Sequence, residues 1–166
     1  MDIIYFQALA AYNRWANRRL YNAVAALRPG EFEQDRPAFF RSIKGTLNHI
    51  LIGDRVWLGH LQGTKSGIDR LNAILYDDLA ALHAAREAED ERIERLFATF
   101  DNATLARSLT YTTISAPRTF TTPMPFVFGH FFNHQTHHRG QVHDMLSQTA
   151  VEPPVLDFLY FVNTRR

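Results

Sequence analysis

The chain has 166 residues, 46% of them apolar and 21% charged, with 18 Lys and Arg against 17 Asp and Glu. That suffices for one domain spanning 1–166 with a full hydrophobic core; it argues against disorder and against a general electrostatic attraction for nucleic acid. The lack of cysteine excludes disulfides, a thiolate nucleophile and thiolate metal ligands.

The opening stretch, "MDIIYFQALAAYNRWANRRL", starts with an acid and is broken by Asn and Arg, unlike a signal peptide. No run approaches about 18 apolar residues, so no membrane span is expected and the cytoplasm is the expected compartment. Leu9, Tyr12, Ala16, Leu20, Ala23 and Leu27 recur at helical steps, predicting a first helix from Ile3 to Leu27, stopped by "RPG". After the linker "EFEQDRPAFF", Ser42 is placed to cap a second helix that runs through Leu61 to "QGTKSG". A third is expected from Tyr76 to Phe100. Its apolar side is Leu79, Leu82, Ile93, Leu96 and Phe97, and "REAEDERIER" reads as its solvated face.

The texture then changes. "RSLTYTTISAPRTFTTP", residues 107–123, predicts a short β-hairpin or extended excursion. A fourth helix begins at Met124 or Pro125 and ends near "SQTAVEPP"; the tail "VLDFLYFVNTRR" is apolar enough to dock as a short helix. The expected fold is all-α: a four-helix bundle with a long, hairpin-bearing crossover between helices three and four.

The fourth helix holds "HFFNHQTHHRGQVHD", residues 130–144, with five of the eight histidines. With His130 at about 0° on a helical wheel, the apolar residues centre near 110°, His138 lies near 80° and His134 near 40°. His137, near 340°, is marginal with His130, and His143, near 220°, is on the far flank. His134 and His138 are thus best placed to face inward, and their i, i+4 spacing lets two imidazoles share a metal ion. A third ligand must come from elsewhere. His49, in "GTLNHILIGDRVW", is the natural candidate, with Gly53 allowing close approach one turn later. Its helix is apolar over much of its circumference, so a satisfied core histidine is the plain alternative. His60 and His83 read as surface residues, His137 and His143 as rim or surface, and Trp15 and Trp57 as core.

Three stretches together resemble the DinB family, of the DinB/YfiT-like superfamily. "YNRWANRRLY" matches its first helix, "LNHILIGDRVWL" its second and "HFFNHQTHHRGQ" its fourth. The last is the most specific. The resemblance implies an up-down-down-up four-helix bundle, often dimeric, with a divalent metal held by three histidines. Carried onto this chain, those ligands are His49, His134 and His138.

Three imidazoles leave an open coordination position. Nitrogen-only ligation suits Zn²⁺ or Ni²⁺ first, with Fe²⁺, Mn²⁺ or Co²⁺ also compatible. Such a site can acidify water, as in a hydrolase, or bind an external thiol, as in a transferase. The superfamily includes enzymes of the second type that use low-molecular-weight thiols such as bacillithiol or mycothiol. The expectation is a metal-dependent enzyme, a small-thiol S-transferase or a hydrolase, with a small-molecule substrate. It is expected to be a homodimer, with neither nucleic acid nor membrane as partner. The alternative is a non-catalytic metal-binding or stress-response protein whose ion stabilises the bundle. Around the triad, His130 is expected either to support a ligand from behind or to line a pocket, and Gln141 to accept from an imidazole N–H. Arg139 is either an anion clamp or a salt bridge. Asn48 and Asn133 order substrate or bond between helices, and Asp54 is expected to pair with an arginine or to contact helix one.

Overall fold

Helix boundaries follow the capping residues. In the computed structural model, which describes residues 2–164, α1 spans Ile3–Val24, with the Asp2 side chain accepting from the Ile4 N–H. Helix α2, Ile43–Gln62, is capped by Ser42 as expected, and Gly63 ends it in the left-handed conformation. Helix α3 is Leu79–Ala98, shorter than predicted at both ends. Asp78 caps its N-terminus, and the preceding Leu75 and Tyr76 N–H groups donate to Asn48 Oδ1 on α2 instead of joining the helix. A four-residue helix absent from the sequence reading, α4 (Asn102–Leu105), is set by an Asp101–Thr104 capping box. Strands β1 (Ser108–Thr112) and β2 (Thr119–Pro123) form the hairpin, antiparallel, with Tyr111 opposite Phe120. Helix α5 is Met124–Ser147 and α6 is Phe158–Asn163, where the docking tail was expected. The last two residues of that tail lie outside the described residues. The first helix stops at Val24, before the predicted Leu27.

The described residues are therefore mostly helical, with one two-stranded sheet. No helix among them is long and apolar enough to cross a membrane. Helix α1 packs on α3 and α5, and α2 packs on the same two. Two apolar clusters fill the ends. One gathers Leu20, Tyr21, Ile43, Leu47, Leu51, Val142 and Leu146; the other gathers Phe6, Leu58, Ile93, Phe97, Phe128 and Phe131. Helix α6 closes a smaller cluster in which Phe161 meets Tyr12 and Ala16.

Between the apolar ends lies a buried polar layer. Arg86, 1% exposed, pairs with Asp54 and with Asp90 at 3.1 Å. Asn13 and Asn17 donate to Asp90 at 3.1 and 2.9 Å. From α5, Arg139 donates to Asn13 and Asn17 and sits over the Tyr12 ring. This corrects the sequence reading of "REAEDERIER". Arg86, Glu89 and Asp90 are buried, while the solvated side of α3 carries Glu87, Glu91 and Arg95. Asp54 does pair with an arginine, as expected.

Candidate metal centre

Only one stripe of α5 can face the core, and its centre runs through Phe131, Gln135 and Val142. His134 and His138 lie at its edge, turned toward α2 rather than into the core. On α2, His49 and Gly53 share one side, one turn apart. A Cβ added at Gly53 would stand 2.8 Å from His134 Cε1, so glycine lets that ring lie against the helix backbone.

The three imidazoles converge. His49 Nε2 lies 3.1 Å from His134 Nε2, and one ring nitrogen from each of His49, His134 and His138 fits within 4.8 Å of the others. Nitrogens around a tetrahedral zinc at ordinary bond lengths lie about 3.3 Å apart, so the pair is at ligand spacing. The ring orientations are fixed from behind. His49 Nδ1–H donates to the Leu71 carbonyl at 2.8 Å, and its ring stacks on Phe40 at 3.9 Å between centroids. His138 Nδ1–H donates to Gln141 Oε1 at 2.8 Å. Each bond selects the tautomer that leaves Nε2 with a free lone pair, the usual arrangement behind a metal-bound histidine.

Local chain geometry supplies these supports. Phe40 reaches His49 through a tight turn before α2; a Cβ at Gly45 would collide with the Phe40 carbonyl. Asn48 holds the loop that carries Leu71, bonding Lys44 O, Tyr76 O and the Leu75 and Tyr76 N–H groups. It ties a loop to α2, rather than ordering substrate or bonding between helices as expected.

Electrostatics keep the imidazoles neutral. Burial, then repulsion from neighbouring imidazoles, pushes His134 down to about 3. Burial pushes His138 down to about 4 against the opposing Gln141 bond, and lowers His49 as well. Protons therefore do not compete for these nitrogens at neutral pH. The same shifts predict an acid limb in the stability of the metal-free protein. The unfolded imidazoles titrate near 6.5, above their folded values, so the unfolded chain takes up protons first as pH falls. Stability should be full above about pH 6.5 and decline toward pH 4 and 3. Urea midpoints against pH should show this limb, and His134→Gln should make it shallower; identical limbs in both proteins would refute the argument.

Two cavities flank the triad. One, of about 240 Å³, touches His49 and His134 and is walled by Trp57, His60, Tyr111 and His130. The other, of about 770 Å³, touches His49 and His138 and is bordered by Phe40, Arg70, His137 and Gln141. The sequence-selected residues thus separate. His130 lines the smaller cavity and Gln141 supports His138, whereas Arg139 is buried against α1 and borders neither. Exposed His137 sits on the rim of the larger cavity, and His143 borders a separate depression near α6. His60 and Trp57 are not the surface and core residues expected: both are half-buried and wall the smaller cavity. His83, also read as surface, stacks on Tyr21 with its Nε2 buried. Trp15 is half-buried against Phe161, and Asn133 is exposed. Phe40 and the Leu71 carbonyl went unread. The phenylalanine pair in the linker was a visible signal; a backbone carbonyl leaves none.

A helical scaffold that turns three imidazoles from two helices onto one point, beside open cavities, defines a class of candidate metal-binding proteins. Within it the chain belongs to the DinB family, whose model matches residues 4–165. It is 26% identical over 166 residues to Protein DinB of Bacillus subtilis (strain 168), covering 95% of this chain and 94% of that protein.

Proposed function

We propose that the chain binds one divalent metal ion through His49, His134 and His138 and acts as a metal-dependent enzyme on a small molecule. The observation that carries this is the convergence of three neutral imidazoles, two with their outer nitrogens already bonded. Three nitrogen ligands and no thiolate favour Zn²⁺ or Ni²⁺. A bound ion with an open position supplies Lewis acidity, enough to bring a thiol or water to ionise near neutral pH. The protein's own part is to hold the ring planes, keep protons off the ligands and offer a cavity on each side. Those cavities favour an enzyme over a purely structural ion site, which would be closed.

The proposed scaffold is an up-down-down-up bundle of α1, α2, α3 and α5. Contact order supports it. Residues 7 and 18 of α1 meet 97 and 87 of α3, an antiparallel sequence, while 54 and 62 of α2 meet 86 and 92 of α3, a parallel one. Residues 49 and 57 of α2 meet 138 and 130 of α5, again antiparallel. Assembly as a twofold homodimer belongs to the same reading. Exposed Leu159 and Tyr160 on α6 and Phe126 on α5 favour it, and a light-scattering mass at the 19.1 kDa chain value would remove it.

Elemental analysis of untagged protein should find about one divalent ion per chain. To separate thiol from water chemistry, the protein is loaded with Co²⁺ and titrated with small thiols. A transferase should show a sulfur charge-transfer band in the near ultraviolet, release a proton and give thioether when an electrophile is added. A silent cobalt spectrum across several thiols would remove the transferase reading and leave the hydrolase one.

A further inference from the structure

The smaller cavity has a composition that its neighbour lacks. Trp57 stands at its centre, with Tyr111 and His130 each 5.0 Å away between ring centroids and His60 at 5.6 Å. His60 and Tyr111 also meet at 5.6 Å, and Val56, Leu71 and Ile114 add apolar surface, with Thr113 and Ser115 beside them. Among the described residues, no Asp, Glu, Lys or Arg borders it, whereas Asp69 and Arg70 border the larger cavity. Four chain segments build this wall: α2 gives Trp57 and His60, α5 gives His130, the hairpin brings Tyr111 across, and the loop after α2 adds Leu71.

We infer that this cavity is the subsite for a small, neutral, flat apolar group, an aromatic ring above all, carried by the molecule that reaches His134. The volume suits it: apolar cavities of about 150 Å³ already take benzene, and this one is about 240 Å³. The wall suits it too, because rings set at 59° and 60° to the indole offer edges and faces that favour aromatic contact. The wall around Trp57 excludes charge, since an ionised group placed there, away from the three histidines, would lose water and meet no charged side chain. Assigning the ring to a substrate rests on the proposed metal centre; the cavity's affinity for the ring does not.

The test uses the full-length protein and three probes of similar size: benzyl alcohol, cyclohexylmethanol and benzoate. The indole N–H signals of Trp57 and Trp15 are followed by ¹H–¹⁵N NMR. Benzyl alcohol should shift the Trp57 signal saturably and leave Trp15 unmoved, because Trp15 lies against Phe161 and Tyr12, outside the cavity. Cyclohexylmethanol should bind more weakly, and benzoate, tested on His138→Ala so that no metal ion holds its carboxylate, about tenfold more weakly or worse. Ile114→Trp, which fills the cavity from the hairpin, should abolish the shift, and Tyr111→Ala should weaken it about tenfold. An unmoved Trp15 signal in each variant verifies the fold. Equal affinity of His138→Ala for benzoate and benzyl alcohol, or a Trp57 shift that survives Ile114→Trp, would overturn the inference. In His138→Ala, whose side chain borders the larger cavity and not this one, loss of metal with benzyl alcohol still bound supports the cavity independently. Metal binding without any aromatic binding in the wild type overturns the cavity and spares the metal centre.

Discussion

Alanine in place of His134 or His138 should lower divalent-metal affinity by more than about a hundredfold, beyond the cost of losing an outer-shell partner. Each change removes one of three converging nitrogens, and two histidines seldom hold zinc. His49→Ala should match them. His143→Ala should leave affinity unchanged, because His143 borders a different depression. Gly53→Ala separates packing from ligation. The added methyl would stand 2.8 Å from the His134 ring and push it off the cluster, while alanine adds about 1 kcal/mol of helix propensity. Affinity should fall about tenfold with no loss of thermal stability. Calorimetric titration of the five variants decides the matter. If His143→Ala abolished binding and the triad substitutions did nothing, the assignment would be wrong.

Removing Arg86 strikes the fold instead. Its guanidinium is enclosed with Asp54 and Asp90, and Arg86→Met leaves two buried carboxyls without their cation. The cost of orphaning a buried charge is about 3–5 kcal/mol. Burial already pushes Asp54 up to about 7 against the downward pull of Arg86, and raises Asp90. Without the arginine both carboxyls take protons more readily, so the deficit should narrow as pH falls. Urea unfolding at pH 7.5 and at pH 5.5 measures both effects. Adding Asp54→Asn and Asp90→Asn should recover much of the loss, because the three side chains act as one unit. A single-variant loss below about 1 kcal/mol would show that the layer contributes little.

What the sequence disclosed followed from local rules. Ser42 capped its helix, the Thr-rich segment formed a hairpin, and the i, i+4 spacing brought His134 and His138 to one side. What it concealed depends on contacts between distant segments. Charged residues in a helix default to solvent, so nothing in "REAEDERIER" announces that Arg86 and Asp90 meet Asp54, Asn13 and Asn17. His49 was ambiguous for a related reason: α2 is buried from Ile43 to Gly59 on nearly all sides, leaving no polar face to orient a wheel. Trp57 misled because an aromatic at helical spacing suits a cavity wall as well as a core.

The buried layer also fixes helix register. One position after Gly53, His134 and His138 come Asp54, Gln135 and Arg139, all turned inward and buried. Rotating α5 by one residue, about 100°, would withdraw Arg139 from Asn13 and thrust His138 into its place. The threading of the helices is therefore set by residues adjacent to the three histidines rather than by the histidines themselves. Such a division leaves the helix register independent of which side chains stand at positions 49 and 138. Glutamate or cysteine could stand at His49 or His138 without rethreading the scaffold, so one architecture can present different donor sets to different metals.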